Sequence, residues 1–116
     1  MKVEYYNLPD GTEPAKDFID SLEADMKNKM LREIELLELF GYELRMPHPK
    51  HLNDGIFELR AKFSSNISRV LYFFYYEGKV ILTNGFVKKT DKTPPEEIIT
   101  AKKYRSDYEK RYGRKK

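Results

Sequence analysis

Three strand-like runs follow one another between residues 56 and 87, IFELRAKF, ISRVLYFFYY and KVILTNGFV, separated only by SSN and EG. Connections this short join antiparallel neighbours, so the segment reads as a β-meander around which the rest of the chain must pack. The first run alternates cleanly. Phe57, Leu59, Ala61 and Phe63 point to one face, and Glu58, Arg60 and Lys62 to the other.

A two-residue loop at Ser64 and Ser65 places Arg60 directly opposite Arg69 across the ladder; the SSN segment also admits a three-residue loop. Like charges facing each other in a sheet are destabilising unless an anion lies between them or a nearby acid offsets them, and Glu58 is the acid at hand. A one-residue slip would turn Arg69 into the core, where an unpaired guanidinium is costly. A two-residue turn at Glu77 and Gly78 adds Asn84, Phe86 and Lys88 to the face of Arg60 and Arg69. The expectation is an open basic face with a phosphate-sized hole.

The flanks read as follows. Residues 2–7 form a short edge strand, and LPDG turns the chain. A helix spans about 13–23, with Pro14 in its first turn and Phe18, Ile19 and Leu22 on one face. A second helix spans about 25–40, with Met26, Met30, Leu31, Ile34, Leu37 and Phe40 spaced by three and four, and Gly41 ends it. Residues 42–55 read as a loop carrying Pro47, Pro49 and the only histidines, His48 and His51. After the meander, Thr93 and Glu96 have capping-box spacing with Pro94 at the first helical position. The closing helix then runs to about 111 with Ile98, Ala101, Tyr104 or Arg105, and Tyr108 as its stripe. The fold class is α+β: an antiparallel sheet of the three-strand meander plus an N-terminal strand, two N-terminal helices and one C-terminal helix, the helices on one face and the other face partly open.

At 116 residues, with 40% hydrophobic content, the chain suits a single domain over 1–116. Lys and Arg total 22 against 19 acids, a net charge of +3 that permits nucleic-acid binding without requiring it. Without cysteine there is no disulfide, thiolate nucleophile or cysteine-based zinc site. Nothing resembles the apolar run of about 7 to 15 residues in a signal peptide or the roughly 20 of a membrane span, so a cytoplasmic, non-membrane protein is expected. Residues 72–76, five aromatics in a row, are read as filling both faces of a central strand and not as a base-stacking platform. His48 and His51 read as exposed loop residues and as a poor metal site, since Asp54 is the only nearby carboxylate.

Four ordered strings carry a family resemblance: LNDGIFELR at 52–60, SRVLY at 68–72, GFVKKT at 85–90 and TPPEEIITA at 93–101. Together with the preceding helices they resemble the phage-derived HigB-like branch of the RelE/ParE toxin superfamily over nearly the whole chain. The resemblance implies a type II toxin that cuts mRNA in the ribosomal A site without a cofactor. It also implies a cognate HigA-like helix-turn-helix antitoxin, with operator DNA met only through that partner. The same superfamily includes ParE-like members that inhibit DNA gyrase without cutting RNA, and a purely regulatory role within the antitoxin complex is a further possibility.

Metal-free RNA cleavage uses the neighbouring 2′-hydroxyl as nucleophile and needs a base, cations at the phosphate and an acid for the leaving 5′-oxygen. Arg60 and Arg69 are the candidates for cradling the phosphate, because guanidinium forks match phosphate oxygens and stay charged. Lys88 or Lys89 is a candidate acid. Glu58, His51 and a lysine with lowered pKa remain open as the base. Lys50, Lys62, Lys89, Lys102 and Lys103 are candidates for contact with RNA or the ribosome. The basic C-terminal cluster, which includes Arg114, Lys115 and Lys116, is a solvated helix end by default, with rRNA contact as the alternative.

Overall fold

A computed structural model describes residues 1–45 and 48–113. The elements run β1 (Lys2–Tyr5), α1 (Pro14–Asp20), α2 (Ala24–Phe40), a 3-10 turn at Gly41–Glu43, β2 (Pro49–Asn53), β3 (Ile56–Phe63), β4 (Asn66–Tyr75), β5 (Lys79–Lys88) and α3 (Pro95–Tyr112). Pro47 and the basic tail at 114–116 lie outside the described residues.

The chain is α+β, but its sheet differs from the expected one in two respects. It has five strands in the order β1-β5-β4-β3-β2, and it is mixed, because β1 pairs parallel to β5 while the other pairs are antiparallel. The whole length of chain between β1 and β5 supplies the crossover that a parallel pair requires. The extra strand, β2, lies in the segment read as a loop. Pro49 opens it on the sheet edge, the position in a sheet where a missing N–H is tolerated, and its pairing with β3 is irregular between His51 and Asn53.

The helices also cover both faces, correcting the expectation of a single helical layer. Helices α1 and α2 bury Ile19, Met26, Met30, Ile34 and Leu37 against Leu59, Ala61, Val70, Tyr72 and Leu82. On the opposite face α3 brings Ala101, Tyr108, Ile98 and Tyr104 onto Ile56, Leu71, Phe73, Tyr75 and Ile81. The central aromatic run is thereby divided: Tyr72 and Phe74 pack toward α1 and α2, and Phe73 and Tyr75 toward α3. Each such side chain, fully buried, contributes roughly 1.5–3 kcal/mol. Gly41 ends α2 as expected, with φ at 52°.

The first hairpin takes the two-residue loop, with Phe63 opposite Asn66 and Arg60 opposite Arg69. The second departs from expectation near its turn. Tyr75 faces Lys79 across a three-residue loop, and a bulge at Thr83 then shifts the register by one, so that Leu71 faces Asn84, Arg69 faces Phe86 and Ile67 faces Lys88. The bulge restores, at the far end of the strands, the pairing that a two-residue turn would have produced. The Thr83 hydroxyl donates to Leu71 O at 3.1 Å and to Asn84 Oδ1 at 2.7 Å. Asn84 Nδ2 reaches Glu97 O at 3.2 Å, tying the bulge to α3.

Candidate functional site

Arg60 and Arg69 sit side by side in the β3–β4 ladder, on the face that α3 partly covers. The acid expected between them is present. Glu58, fully buried, accepts from Arg60 Nε at 2.6 Å through Oε2, while its Oε1 lies 3.7 Å from Arg69 Nε and accepts from the Thr93 hydroxyl. Arg60 also donates to Asp91 Oδ1 at 3.3 Å and to the Asp91 carbonyl.

The cluster is closed, not open. Arg69 has no exposed surface, because residues 90–93, the strap leading into α3, pass across it and the Thr90 carbonyl accepts from its Nη2. Its Nε and Nη1 have no hydrogen-bond partner among the described residues, and its guanidinium stands 5.4 Å from the Phe86 ring. Burial lowers the Arg69 pKa, Glu58 raises it and Arg60 lowers it further. A guanidinium in this setting still stays charged at physiological pH. Two arginines against Glu58 and Asp91 leave the cluster formally neutral. Asp91, its side chain 82% exposed, is the one member that solvent can readily displace.

Thr93 was expected to cap α3 in a capping box. Instead Pro94 takes the cap position without a side-chain hydrogen bond, the helix starts at Pro95, and the Thr93 hydroxyl is committed to Glu58. A hydroxyl that can serve either partner goes to the buried carboxylate, where an unmet acceptor is costlier than at an exposed helix end.

The other candidates scatter. Lys88 ends β5 on the face of Arg60 and Arg69, exposed, and Lys89 lies exposed just beyond it. Lys62 is exposed on β3, and Lys50 is opposite Glu58 on β2. Lys102 stands 3.9 Å from Asp54, which also pairs with Arg105 at 3.1 Å, and Lys103 is exposed on α3. His51 is not brought to the cluster. It lies opposite Phe57, with its ring 4.9 Å from that ring, on the α1–α2 face, and its Nε2 is 3.3 Å from Gly55 N. Glu58 is in place, but both its oxygens are engaged.

One arrangement was not anticipated. Lys29, Arg32 and Glu33 on α2, His48, and Arg60, Ala61, Lys62 and Ile67 line a groove of about 400 Å³ beyond the end of β2. In it His48 Nδ1 lies 2.7 Å from Glu33 Oε1. The helical spacing of Lys29, Arg32 and Glu33 was readable; their meeting with His48 is not a local property of the sequence.

The model of the family described as "Phage derived protein Gp49-like (DUF891)" matches residues 17–106, from α1 into α3. The chain therefore belongs to the Gp49-like phage-derived family, a family of type II toxins of the RelE/HigB kind. Members are commonly the toxin of a toxin–antitoxin pair, generally with RNase-type activity, and the class implies an antitoxin partner. No curated protein matches the chain. Among the described residues no helix is long and apolar enough to cross a membrane.

Proposed function

We propose that the chain is a HigB-like toxin that acts in the cytoplasm, cleaves mRNA on the ribosome and is silenced by a HigA-like antitoxin. The observation that carries this reading is the Asp91 carboxylate on Arg60: an exposed anion occupies a guanidinium that a phosphate can claim by simple exchange. Arg60 then holds the scissile phosphate while the neighbouring 2′-hydroxyl gives its proton to solvent water and bonds through oxygen to phosphorus, and the bond from phosphorus to the 5′-oxygen breaks as that oxygen takes a proton from water or from Lys88 or Lys89. The products are a 2′,3′-cyclic phosphate and a free 5′-hydroxyl, and no metal takes part.

In this reading Glu58 orients Arg60 and does not act as the base, and Arg69 supports both from beneath the strap. Lys88 and Lys89 lead directly into the strap, suited to the leaving oxygen or to neighbouring phosphates. Lys62, Lys50, Lys102 and Lys103 extend the basic surface toward the ribosome. The neutrality and closure of the cluster favour a second reading, a non-catalytic ParE-like inhibitor of gyrase or a binding regulator.

Mapping mRNA 5′ ends after induction in bacteria separates the two. The nuclease reading expects new codon-spaced ends that are lost with Arg60→Ala. Growth arrest without new ends, or ends unaffected by Arg60→Ala, overturns it.

A further inference from the structure

The groove between α2 and the free end of β3 has features that the arginine cluster lacks. Lys29 and Arg32 are exposed on one face of α2, Lys62 approaches from β3, and none of the three has an acidic partner among the described residues. Lys16, Lys27, Lys79, Arg105 and Arg111 each meet a carboxylate, as does Arg60 at the edge of the groove itself, while Lys88, Lys89 and Lys103, likewise without an acidic partner among the described residues, line no part of the groove. The only acid lining the groove among the described residues, Glu33, is bonded to His48. Buried Ala61 and Ile67 add an apolar lining beneath the charged rim.

We infer that this groove is a seat for one ribonucleotide of an RNA strand, with Lys29, Arg32 and Lys62 on the flanking phosphates and His48 on the ribose 2′-hydroxyl. The inference rests on the RNA-directed reading above and adds to it a second contact site with its own selectivity. The volume, about 400 Å³, falls in the range of small-ligand sites.

The selectivity follows from His48. An ionised carboxylate only accepts, so Glu33 holds a proton on His48 Nδ1 and leaves Nε2 without a partner among the described residues. A ribose 2′-hydroxyl, both donor and acceptor, can pair with it, and deoxyribose has no group there.

The test is fluorescence anisotropy with the intact chain, without ribosomes, using a labelled single-stranded oligoribonucleotide and its deoxyribo counterpart at low salt. RNA is expected to bind about tenfold more tightly than DNA, the worth of one well-placed hydrogen bond. Lys29→Gln with Arg32→Gln is expected to weaken both by about tenfold or more and to flatten the salt dependence by about 1.4 log units per decade. His48→Ala is expected to bring RNA down to the affinity of DNA while leaving DNA unchanged, and an RNA preference that survives His48→Ala overturns the assigned 2′-hydroxyl contact. Circular dichroism melts confirm that the variants fold.

Equal affinity of the wild type for RNA and DNA overturns the inference, as does unaltered binding in the Lys29/Arg32 variant. The mRNA-end experiment reads a different property. Missing ends with an intact RNA preference overturn the nuclease reading alone, and absent preference with intact cleavage overturns the groove alone.

Discussion

Thr93 donates its hydroxyl to Glu58, so the strap ahead of α3 is tied to the middle of β3 by a bond between a side chain just outside a helix and a fully buried carboxylate. Thr93→Val keeps the shape and removes the donor, leaving Glu58 Oε1 with the more distant Arg69 Nε alone. A loss of about 1–3 kcal/mol in urea unfolding is expected, with faster amide exchange at 89–93. Glu58→Gln should cost more, about 3–5 kcal/mol, because Arg69 is then buried without a counter-charge. Equal, small effects of both substitutions would mean that the cluster does not hold the strap.

Asp91 touches Arg60 from an exposed position, so its pairing adds little stability. Asp91→Ala is expected to change unfolding free energy by under about 1 kcal/mol. It should also raise affinity for inorganic phosphate, measured by chemical-shift titration of the Arg60 side chain, since the competing carboxylate is gone. Unchanged phosphate affinity would remove Asp91 from its assigned place.

Gly85 lies beneath the ring of Phe18, and a Cβ there would clash with Phe18 Cδ2 and stand 2.7 Å from Arg69 O. Gly85→Ala is therefore expected to destabilise by about 1–3 kcal/mol. Combining it with Phe18→Leu should recover part of that loss and not all, because the contact with the Arg69 backbone remains. Additive losses in the double variant would contradict this geometry.

Tyr6 donates to Asp107 Oδ2 at 2.7 Å. Burial, then the bond to Asp107, pushes the Tyr6 hydroxyl from 10.0 up to about 12. A pKa raised in the folded state stabilises the protein fully below the unfolded value and loses that contribution as pH climbs through the folded one. Urea unfolding should show this part of the stability intact at pH 9 and declining between about pH 10 and 12. Tyr6→Phe should be flatter across that window. Asp107 is shifted the opposite way, chiefly by the same hydrogen bond, so its contribution is present above its ordinary value and lost in acid.

The parts of the fold that were legible were those set by local pattern. Alternation in β3 and a tight loop were enough to place Arg60 opposite Arg69, and helical spacing was enough to pick the buried stripe of α2. Strand β2 was hidden because Pro49 reads as a loop signal unless the edge is known, and the parallel place of β1 depends on a long crossover with no local mark. The closure of the site was illegible for the same reason. Thr93 has a plausible local partner in its own helix, and only the tertiary arrangement reveals the stronger claim of Glu58. The meeting of Glu33 with His48 likewise joins a helix to a segment fifteen residues on.

The bulge at Thr83 divides the β4–β5 hairpin into two halves whose alignments are settled separately. Continued without it, the pairing near the turn would bring Gly85 to Arg69 in place of Phe86, and Asn84 would turn away from α3. A change in the length of the loop at 76–78 therefore need not propagate to the arginines, because one unpaired residue midway along β5 can take up the slip. The hairpin tip can lose one residue together with the bulge while the surroundings of Arg69 stay the same.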